Sequence, residues 1–211
     1  MATTIANGWS STVKQDETRA EELLFDALGR DPNSSPAHSA LGMLRQVQNR
    51  MAEAYTEMEA AVALDRNNAW GAKGLGQVLM YLGRPETGIP HIEKAIRLNP
   101  FDPNIAIFYF QLGQCHLLLG HVDEAIASLG KARTANPRLW YVHQWLAGAY
   151  GLAGDLDEAK AELAKSLRLK PDTDTMARVR AQFPQITNPS HWALFEKTVA
   201  LGLRRAGFSD E

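Results

Sequence analysis

The chain has 211 residues, of which 45% are hydrophobic and 22% charged, and its formal net charge is -2. This is the composition of an ordinary globular protein that can bury a sizeable core, and the charge balance gives no electrostatic basis for binding nucleic acid. The single cysteine, Cys115, excludes an intrachain disulfide and a cysteine-based zinc cluster. Such cysteine usage fits a reducing, cytoplasmic location.

Residues 1–15, "MATTIANGWSSTVKQ", come first and show no convincing helical pattern. They also lack the charged start and apolar stretch of a secretory signal peptide. We expect a poorly structured N-terminal segment, or the remnant of a preceding region, over 1–15.

A repeat occupies residues 16–171. Short segments that contain a proline recur along it, and Arg66 takes the place of the proline in one copy. These five positions, called marks below, are spaced by 34, 34, 37 and 34 residues. The marking prolines are Pro32, Pro100, Pro137 and Pro171. Internal periods of this length are typical of repeat architectures. The spacing predicts an initial half repeat followed by four full repeats.

Small residues recur at helical spacing before each mark. The sets are Ala20/Leu24/Ala27, Ala54/Met58/Ala61, Gly88/Ile92/Ala95, Ala125/Leu129/Ala132 and Ala159/Leu163/Ser166. Spacings of three and four place residues on one helical face, where small side chains let two helices approach closely. A glycine then marks the turn within the unit at Gly83, Gly120 and Gly154. Each unit is therefore predicted to be a helix pair that buries its apolar face by stacking on the next pair.

This pattern resembles the tetratricopeptide repeat, a helix-turn-helix unit of 34 residues. The resemblance covers residues 16–171 and implies an all-α fold, a tetratricopeptide-repeat right-handed superhelix (α-solenoid). Residues 172–211 are predicted to add two capping helices, the second of which starts at Asn188-Pro189 with a cap residue followed by proline. Repeat arrays need such a cap over their last apolar face.

The stretch "IAIFYFQLGQCHLLLG", Ile105 to Gly120, is the most apolar run in the chain. It is too short and too often interrupted by polar residues for a membrane span. In the repeat register it is the first helix of a pair, and the three extra residues of the 37-residue gap enter at its start. We expect these residues to lengthen that helix by nearly one turn.

A narrower resemblance rests on the "NPFDP" segment, the two repeats after it and the ending "GLRRAGFSDE". This arrangement is similar to the C-terminal repeat region of bacterial, rhizobial-type class III adenylate/guanylate cyclases and related regulators. It implies that the chain is a module of a larger signalling protein. No residue of a cyclase catalytic domain is present in the sequence, so no catalytic role carries over.

The chain shows no motif of a catalytic, metal-binding or phosphate-binding site. The six histidines show no metal-ligand spacing on one helix, and "GAKGLG" at 71–76 lacks the strand and the Lys-Ser/Thr ending of a phosphate loop. No nucleophile and base are linked by a motif. We therefore expect no enzyme activity, no metal and no cofactor in this region.

The resemblance to tetratricopeptide arrays implies a concave groove lined by the first helix of each pair, for a peptide or partner protein and not for nucleic acid or membrane. Aromatic rings supply apolar contact there, and glutamines pair with a peptide backbone. The residues predicted to line the groove are Trp70, Lys73, Gln77, Tyr81, Phe110, Gln111, Gln114, Tyr141, Gln144 and Trp145.

Two alternatives to an open groove remain at the level of sequence. The aromatic residues could pack against neighbouring units or against the C-terminal tail instead of a ligand. The array could also serve mainly to dimerise its parent protein, with Leu23, Leu24 and Leu28 of the incomplete first unit as the contact.

Overall fold

A computed structural model describes residues 13–210. The helices are α1 (Val13–Arg30), α2 (Ser35–Val47), α3 (Met51–Leu64), α4 (Ala69–Tyr81), α5 (Pro85–Leu98), α6 (Ile105–Leu118), α7 (Val122–Ala135), α8 (Trp140–Ala153), α9 (Leu156–Leu169), α10 (Met176–Ala181), α11 (Pro189–Phe195) and α12 (Leu201–Arg205). A π-helical turn, Glu196–Ala200, joins α11 to α12. The expectation for 1–15 falls mostly on residues 1–12, outside the described residues, and α1 begins at Val13.

The helices pair as α2 with α3, α4 with α5, α6 with α7 and α8 with α9, and α1 packs on α2. The first helices of successive pairs also contact one another, α2 with α4, α4 with α6 and α6 with α8. The second helices of successive pairs make marginal contact at most within the described range. The array therefore curves toward its first helices, and the predicted all-α right-handed superhelix is confirmed.

Small residues hold the two helices of a pair close together. A Cβ added at Gly76 of α4 would lie 2.5 Å from Ile92 Cγ1 and 2.8 Å from the carbonyl oxygen of Gly88, both on α5. A Cβ at Gly113 of α6 would lie 2.6 Å from Leu129 Cγ on α7. The close approach predicted from the repeated small residues is therefore present.

A left-handed residue makes the turn inside each pair. Gly83, Gly120 and Gly154 have φ angles of 75°, 78° and 91°, in the region where glycine carries no steric penalty. The first pair uses Asn49, with φ 59°, at the equivalent place; asparagine is among the few other residues that adopt this conformation readily.

The expected lengthening of α6 is wrong. α6 spans Ile105–Leu118, 14 residues, the same length as α8. The extra residues lie instead in the link before it, where Asp102 is buried and its carboxylate accepts hydrogen bonds from Asn99 Nδ2 at 2.9 Å and from the backbone N–H of Asn104 at 2.7 Å. Pro103 disfavours helical backbone at the preceding residue, so the inserted residues form turns.

The C-terminal segment, with α10, α11 and α12, lies against the first-helix side of the array. α12 packs on α8, and the π turn contacts α6 and α8. The backbone of Gly202 approaches α8 so closely that a Cβ at Gly151 would lie 2.0 Å from its carbonyl oxygen. The end of the segment returns to α10, where the N–H of Met176 donates to the carbonyl of Ser209 at 3.0 Å.

Residues 13–210 contain neither a candidate membrane-spanning helix nor a candidate metal site. None of their helices combines the length and the apolar character needed to cross a membrane. No group of three or more side chains in the same range forms a candidate metal site.

Candidate partner-binding surface

The first-helix side of α2, α4, α6 and α8 is called the inner surface below. Its α4 part carries a row of polar side chains spaced one helical turn apart. Lys73 Nζ donates to Gln77 Oε1 at 3.3 Å, and Gln77 Nε2 donates to the hydroxyl of Tyr81 at 3.0 Å. The Lys73 ammonium also lies 5.3 Å from the ring centre of Trp70, whose edge meets Phe108 of α6 at 5.4 Å. The sequence placed these α4 residues on one face, and they do lie together.

Lys73 is a buried cation that no carboxylate of residues 13–210 contacts directly. Lys73 is 6% exposed, and its ammonium forms no ion pair with any carboxylate of residues 13–210. Burial lowers the pKa of its ammonium to about 8, against the opposing pull of the Asp102 charge. The Asp102 carboxylate is itself engaged by Asn99 and Asn104. The inner surface therefore contains a largely desolvated ammonium that a further anionic group could pair with.

The predicted aromatic residues of α6 and α8 form one cluster. The ring of Phe110 lies 4.6 Å from that of Tyr141 and 6.0 Å from that of Trp145. Phe110 is 7% and Trp145 4% exposed, and burial raises the pKa of the Tyr141 phenol to about 12. The cluster is thus a packed part of the core.

The C-terminal segment covers much of this part of the inner surface. Phe195 meets Trp145 at a ring distance of 5.9 Å, and His191 meets Tyr81 at 6.0 Å. Burial raises the pKa of the Tyr81 phenol, against hydrogen bonds from Gln77 and Gln185. For Tyr81 and Trp145, packing against the tail, which the sequence left as an alternative, is what the structure shows.

The predicted amide residues of α6 and α8 are also enclosed. Gln111 is 1%, Gln114 5% and Gln144 1% exposed. Gln144 Nε2 donates to the carbonyl of Thr173 at 3.4 Å, whereas Gln111 Oε1 is buried without a partner among the described residues. All three amides are thus buried, and Gln144 contacts the C-terminal segment. Their role in partner binding stays a prediction.

The inner surface therefore has two halves. The tail contacts α4 at its carboxyl end, through Met80 and Tyr81. Trp70 and Lys73 lie two or more turns nearer the start of the same helix. The half around Trp70 and Lys73, near the N-terminal ends of the first helices, is called the N-terminal half below. The half beneath the tail, toward the carboxyl ends of these helices, is called the C-terminal half.

A buried contact of His191 is not predicted by the sequence. His191 of α11 is 2% exposed, and its Nδ1–H donates to the carbonyl oxygen of Met80 at 3.0 Å. The two residues are 111 positions apart, and no local pattern signals such a contact. Only the cap and proline at Asn188-Pro189 indicated that a helix begins there.

The comparisons with known proteins agree with this geometry. Two family models, both of the tetratricopeptide repeat, match residues 65–138 and 116–183 and together cover more than half of the chain. The chain is a tetratricopeptide-repeat protein. Proteins of this kind are protein-interaction scaffolds, and their fold is generally non-catalytic.

Solved structures of other tetratricopeptide-repeat proteins are similar. MamA matches at 25% identity over 75% of this chain and 91% of MamA, with a TM-score of 0.63. YrrB, a TPR protein with an unusual peptide-binding site, matches at 25% identity over 84% of this chain and 88% of YrrB, with a TM-score of 0.61. PilF of Pseudomonas aeruginosa shares the fold over 97% of this chain and 94% of PilF, with a TM-score of 0.70 and 18% identity.

Proposed function

We propose that this tetratricopeptide-repeat protein is an interaction scaffold that binds a peptide or an extended segment of a partner protein along the N-terminal half of its inner surface. An acidic group of the partner pairs with Lys73. The observation that carries the proposal is the buried ammonium of Lys73, which has a single amide acceptor, Gln77 Oε1 at 3.3 Å, and no carboxylate partner among the described residues. The likeness to YrrB, which has a peptide-binding site, supports it.

The chemistry of the site favours an acidic ligand. Removing an ammonium from water costs free energy, which shows here as the pKa of Lys73 lowered to about 8. A carboxylate that enters the same low-dielectric site offsets this cost by a charge-assisted hydrogen bond. Its arrival also raises the pKa of Lys73, so binding takes up a proton near pH 8.

The neighbours of Lys73 supply the other contacts that a peptide needs. The half-buried ring of Trp70 offers an apolar face beside the ammonium, and aromatic rings in such positions dominate the energy of many interfaces. The half-buried amide of Gln77 is able to pair with a peptide backbone, because it carries both a donor and an acceptor.

The test selects ligands and then removes the charge. Random dodecapeptides displayed on phage are selected against the protein, and we expect enrichment of peptides that combine an acidic residue with an apolar one. Lys73→Met keeps an unbranched side chain that ends at the position of Cε, and it deletes the ammonium. By isothermal titration calorimetry it should weaken the selected peptides at least about thirtyfold, or ~2 kcal/mol.

A matched control uses Lys160→Met, because Lys160 is an exposed lysine on α9, a second helix on the opposite side of the array. This variant should bind the selected peptides as the unaltered protein does. The assignment of Lys73 to the binding site is contradicted if both variants lose the same affinity for the selected peptides, or if Lys73→Met loses none.

We further propose that the scaffold acts within a larger cytoplasmic signalling protein such as an adenylate cyclase. The support is the similarity of the "NPFDP" segment and the "GLRRAGFSDE" ending to the repeat regions of such enzymes. The reading frame that precedes Met1 in the natural gene tests this proposal. A frame that encodes a cyclase or regulator domain agrees with it, and a frame closed by a stop codon immediately before Met1 contradicts it.

Self-association is the second candidate function, and one observation favours it. Leu23 and Phe25 of α1 are 45% and 52% exposed, which leaves apolar area on the outermost described helix. Sedimentation velocity over a hundredfold range of concentration tests it. A dimer that Leu23→Glu abolishes supports self-association, and a monomer at every concentration contradicts it.

A further inference from the structure

Residues 183–195, called the strap below, cross the C-terminal half of the inner surface. The strap touches the array at a few points. His191 donates to the carbonyl oxygen of Met80, Phe195 packs on Trp145, and Thr187 Oγ1 lies 3.5 Å from Asn49 Oδ1 in the turn of the first pair. Gln185 also hydrogen-bonds to the hydroxyl of Tyr81. Other hydrogen bonds of the strap are internal, such as Trp192 Nε1 to the carbonyl of Ile186 at 2.8 Å.

Residues 199–208, called the anchor below, are held in a different way. The backbones of Gly202 and α8 are in direct contact, since a Cβ at Gly202 would lie 1.9 Å from the carbonyl oxygen of Gly148. Leu203 is fully buried and Phe208 is 6% exposed. Arg205 also donates to the carbonyl of Leu152 at 3.3 Å. The anchor is thus a part of the core that opens only at a high free-energy cost.

The strap is separable from the anchor in structural terms. Ten of its 13 residues are exposed or half-exposed, and Ile186, His191 and Phe195 are its buried contacts. Three of the half-exposed residues, Phe183, Trp192 and Leu194, pack against the core. The π turn Glu196–Ala200 lies at the junction of the strap and the anchor. A segment with few buried contacts and exposed backbone belongs to the low-stability end of a fold.

The surface beneath the strap is mainly apolar, and the strap's polar contacts there are to the carbonyl oxygen of Met80 and the hydroxyl of Tyr81. Trp145 is 4% and Tyr81 7% exposed with the strap in place, so its removal would uncover both rings. Their polar neighbour is the carbonyl oxygen of Met80, to which His191 donates. His191 and Phe195 are four residues apart on one helical turn of the strap. The occupant that this surface selects is therefore a helix with an N–H donor and an aromatic ring at i and i+4.

We propose that the strap is a displaceable occupant, and that the surface beneath it binds an amphipathic helix of a partner protein with an N–H donor and an aromatic ring at the spacing of His191 and Phe195. The partner helix replaces the strap while the anchor stays in place. Displacement joins the two halves of the inner surface into one groove, and in this respect the inference rests on the proposed function.

The experiment uses a fluorescein-labelled peptide with the sequence of residues 183–200 as the probe for the partner helix. In the full chain, the strap competes with the probe. The double variant His191→Ala/Phe195→Ala weakens the internal strap and leaves the surface beneath it unchanged. By fluorescence anisotropy, the probe should bind this variant at least about tenfold more tightly than it binds the unaltered protein.

Two controls keep the outcome clear. Ala193→Ser alters an exposed residue of the same helix and should leave probe binding at the level of the unaltered protein. His191→Gln keeps an N–H donor and should give an intermediate affinity, and it serves as the readout if circular dichroism shows that the double variant is unfolded. The proposal is overturned if the probe binds His191→Ala/Phe195→Ala and His191→Gln no more tightly than it binds the unaltered protein, or if it binds none of them.

The failures of the two proposals are distinguishable. If the strap is not displaceable, the probe binds His191→Ala/Phe195→Ala and the unaltered protein with the same affinity, and this result is independent of Lys73. If the proposed function is wrong, Lys73→Met binds the selected acidic peptides as tightly as the unaltered protein, and this result is independent of the strap.

Discussion

Two histidines join the helices of a pair at the same position of the repeat. His38 contacts Glu57 Oε2 through Nδ1 at 2.6 Å and the carbonyl of Pro32 through Nε2 at 3.0 Å. His143 makes the equivalent contacts with Glu162 at 2.6 Å and Pro137 at 2.9 Å. The sequence contains the signal, since both histidines follow a proline by six residues and precede a glutamate by 19. These histidines hold α2 to α3 and α8 to α9.

The His38 contact predicts a stability that depends on pH. Burial alone would lower the pKa of His38, but the hydrogen bonds to Glu57 and Pro32 outweigh it and raise the pKa above its ordinary value. The folded state therefore favours the protonated ring. The stabilisation is complete below the unfolded pKa of about 6.5 and is lost as pH rises through the folded value.

Urea denaturation of the unaltered protein and of His38→Ala checks this at several pH values. We expect the variant to lose about 1 kcal/mol of unfolding free energy at pH 5.5. The difference between the two proteins should shrink toward pH 9. A difference that is constant with pH, or that grows with it, contradicts the protonated contact.

At the residue scale, the register of the repeat predicted correctly that Trp70, Lys73, Gln77 and Tyr81 share one face, because spacing along a helix determines which side chains are neighbours. It did not predict that Tyr81 lies under His191. That contact joins residues distant in sequence, and its formation depends on tertiary packing that no local period encodes.

At the element scale, the small residues inside each pair set how closely two helices approach. Gly76→Ala places a Cβ 2.8 Å from the backbone carbonyl of Gly88 and 2.5 Å from Ile92. A backbone atom cannot move aside as a side chain does, so we expect a loss of about 2 kcal/mol of unfolding free energy. Thermal denaturation followed by circular dichroism measures the change.

Gly130→Ala is the matched control for this substitution. Gly130 lies in α7, and a Cβ there meets nothing within 4 Å. Because alanine has the higher helix propensity, this variant should gain about 0.5–1 kcal/mol. If both variants lost stability equally, close helix approach at Gly76 would not be the cause.

The order of the helices and their pairing could be predicted from the sequence, whereas the length of α6 could not. The 37-residue gap showed correctly that three residues are inserted. Their placement depended on Asp102, which is buried in the link and bonded to Asn99 and Asn104. A spacing counts residues but does not show whether a loop or a helix absorbs them.

At the scale of the whole molecule, the C-terminal segment gives the array its particular character. The segment lies along the inner surface and reaches from α8 to the turns at Gly83 and Asn49. The inner surface is consequently divided between an N-terminal half with Lys73 and a C-terminal half under the strap. Both proposals for partner binding depend on this division.

The most direct test of this division is a disulfide between the strap and the first helix pair. In the double variant Asn49→Cys/Thr187→Cys, one thiol takes the place of Thr187 Oγ1 and the other lies one bond short of Asn49 Oδ1, two atoms that are 3.5 Å apart. Cys115 does not interfere, because it is buried and burial raises the pKa of its thiol. Asn49→Cys/Lys160→Cys, with one thiol on the opposite side of the array, is the control pair.

Non-reducing electrophoresis and mass spectrometry after mild oxidation supply the measurement. The structure predicts a disulfide within one chain for Asn49→Cys/Thr187→Cys and none for the control pair. Free thiols in the first variant, disulfides only between two chains, or equal crosslinking in both variants would contradict the placement of the C-terminal segment across the inner surface.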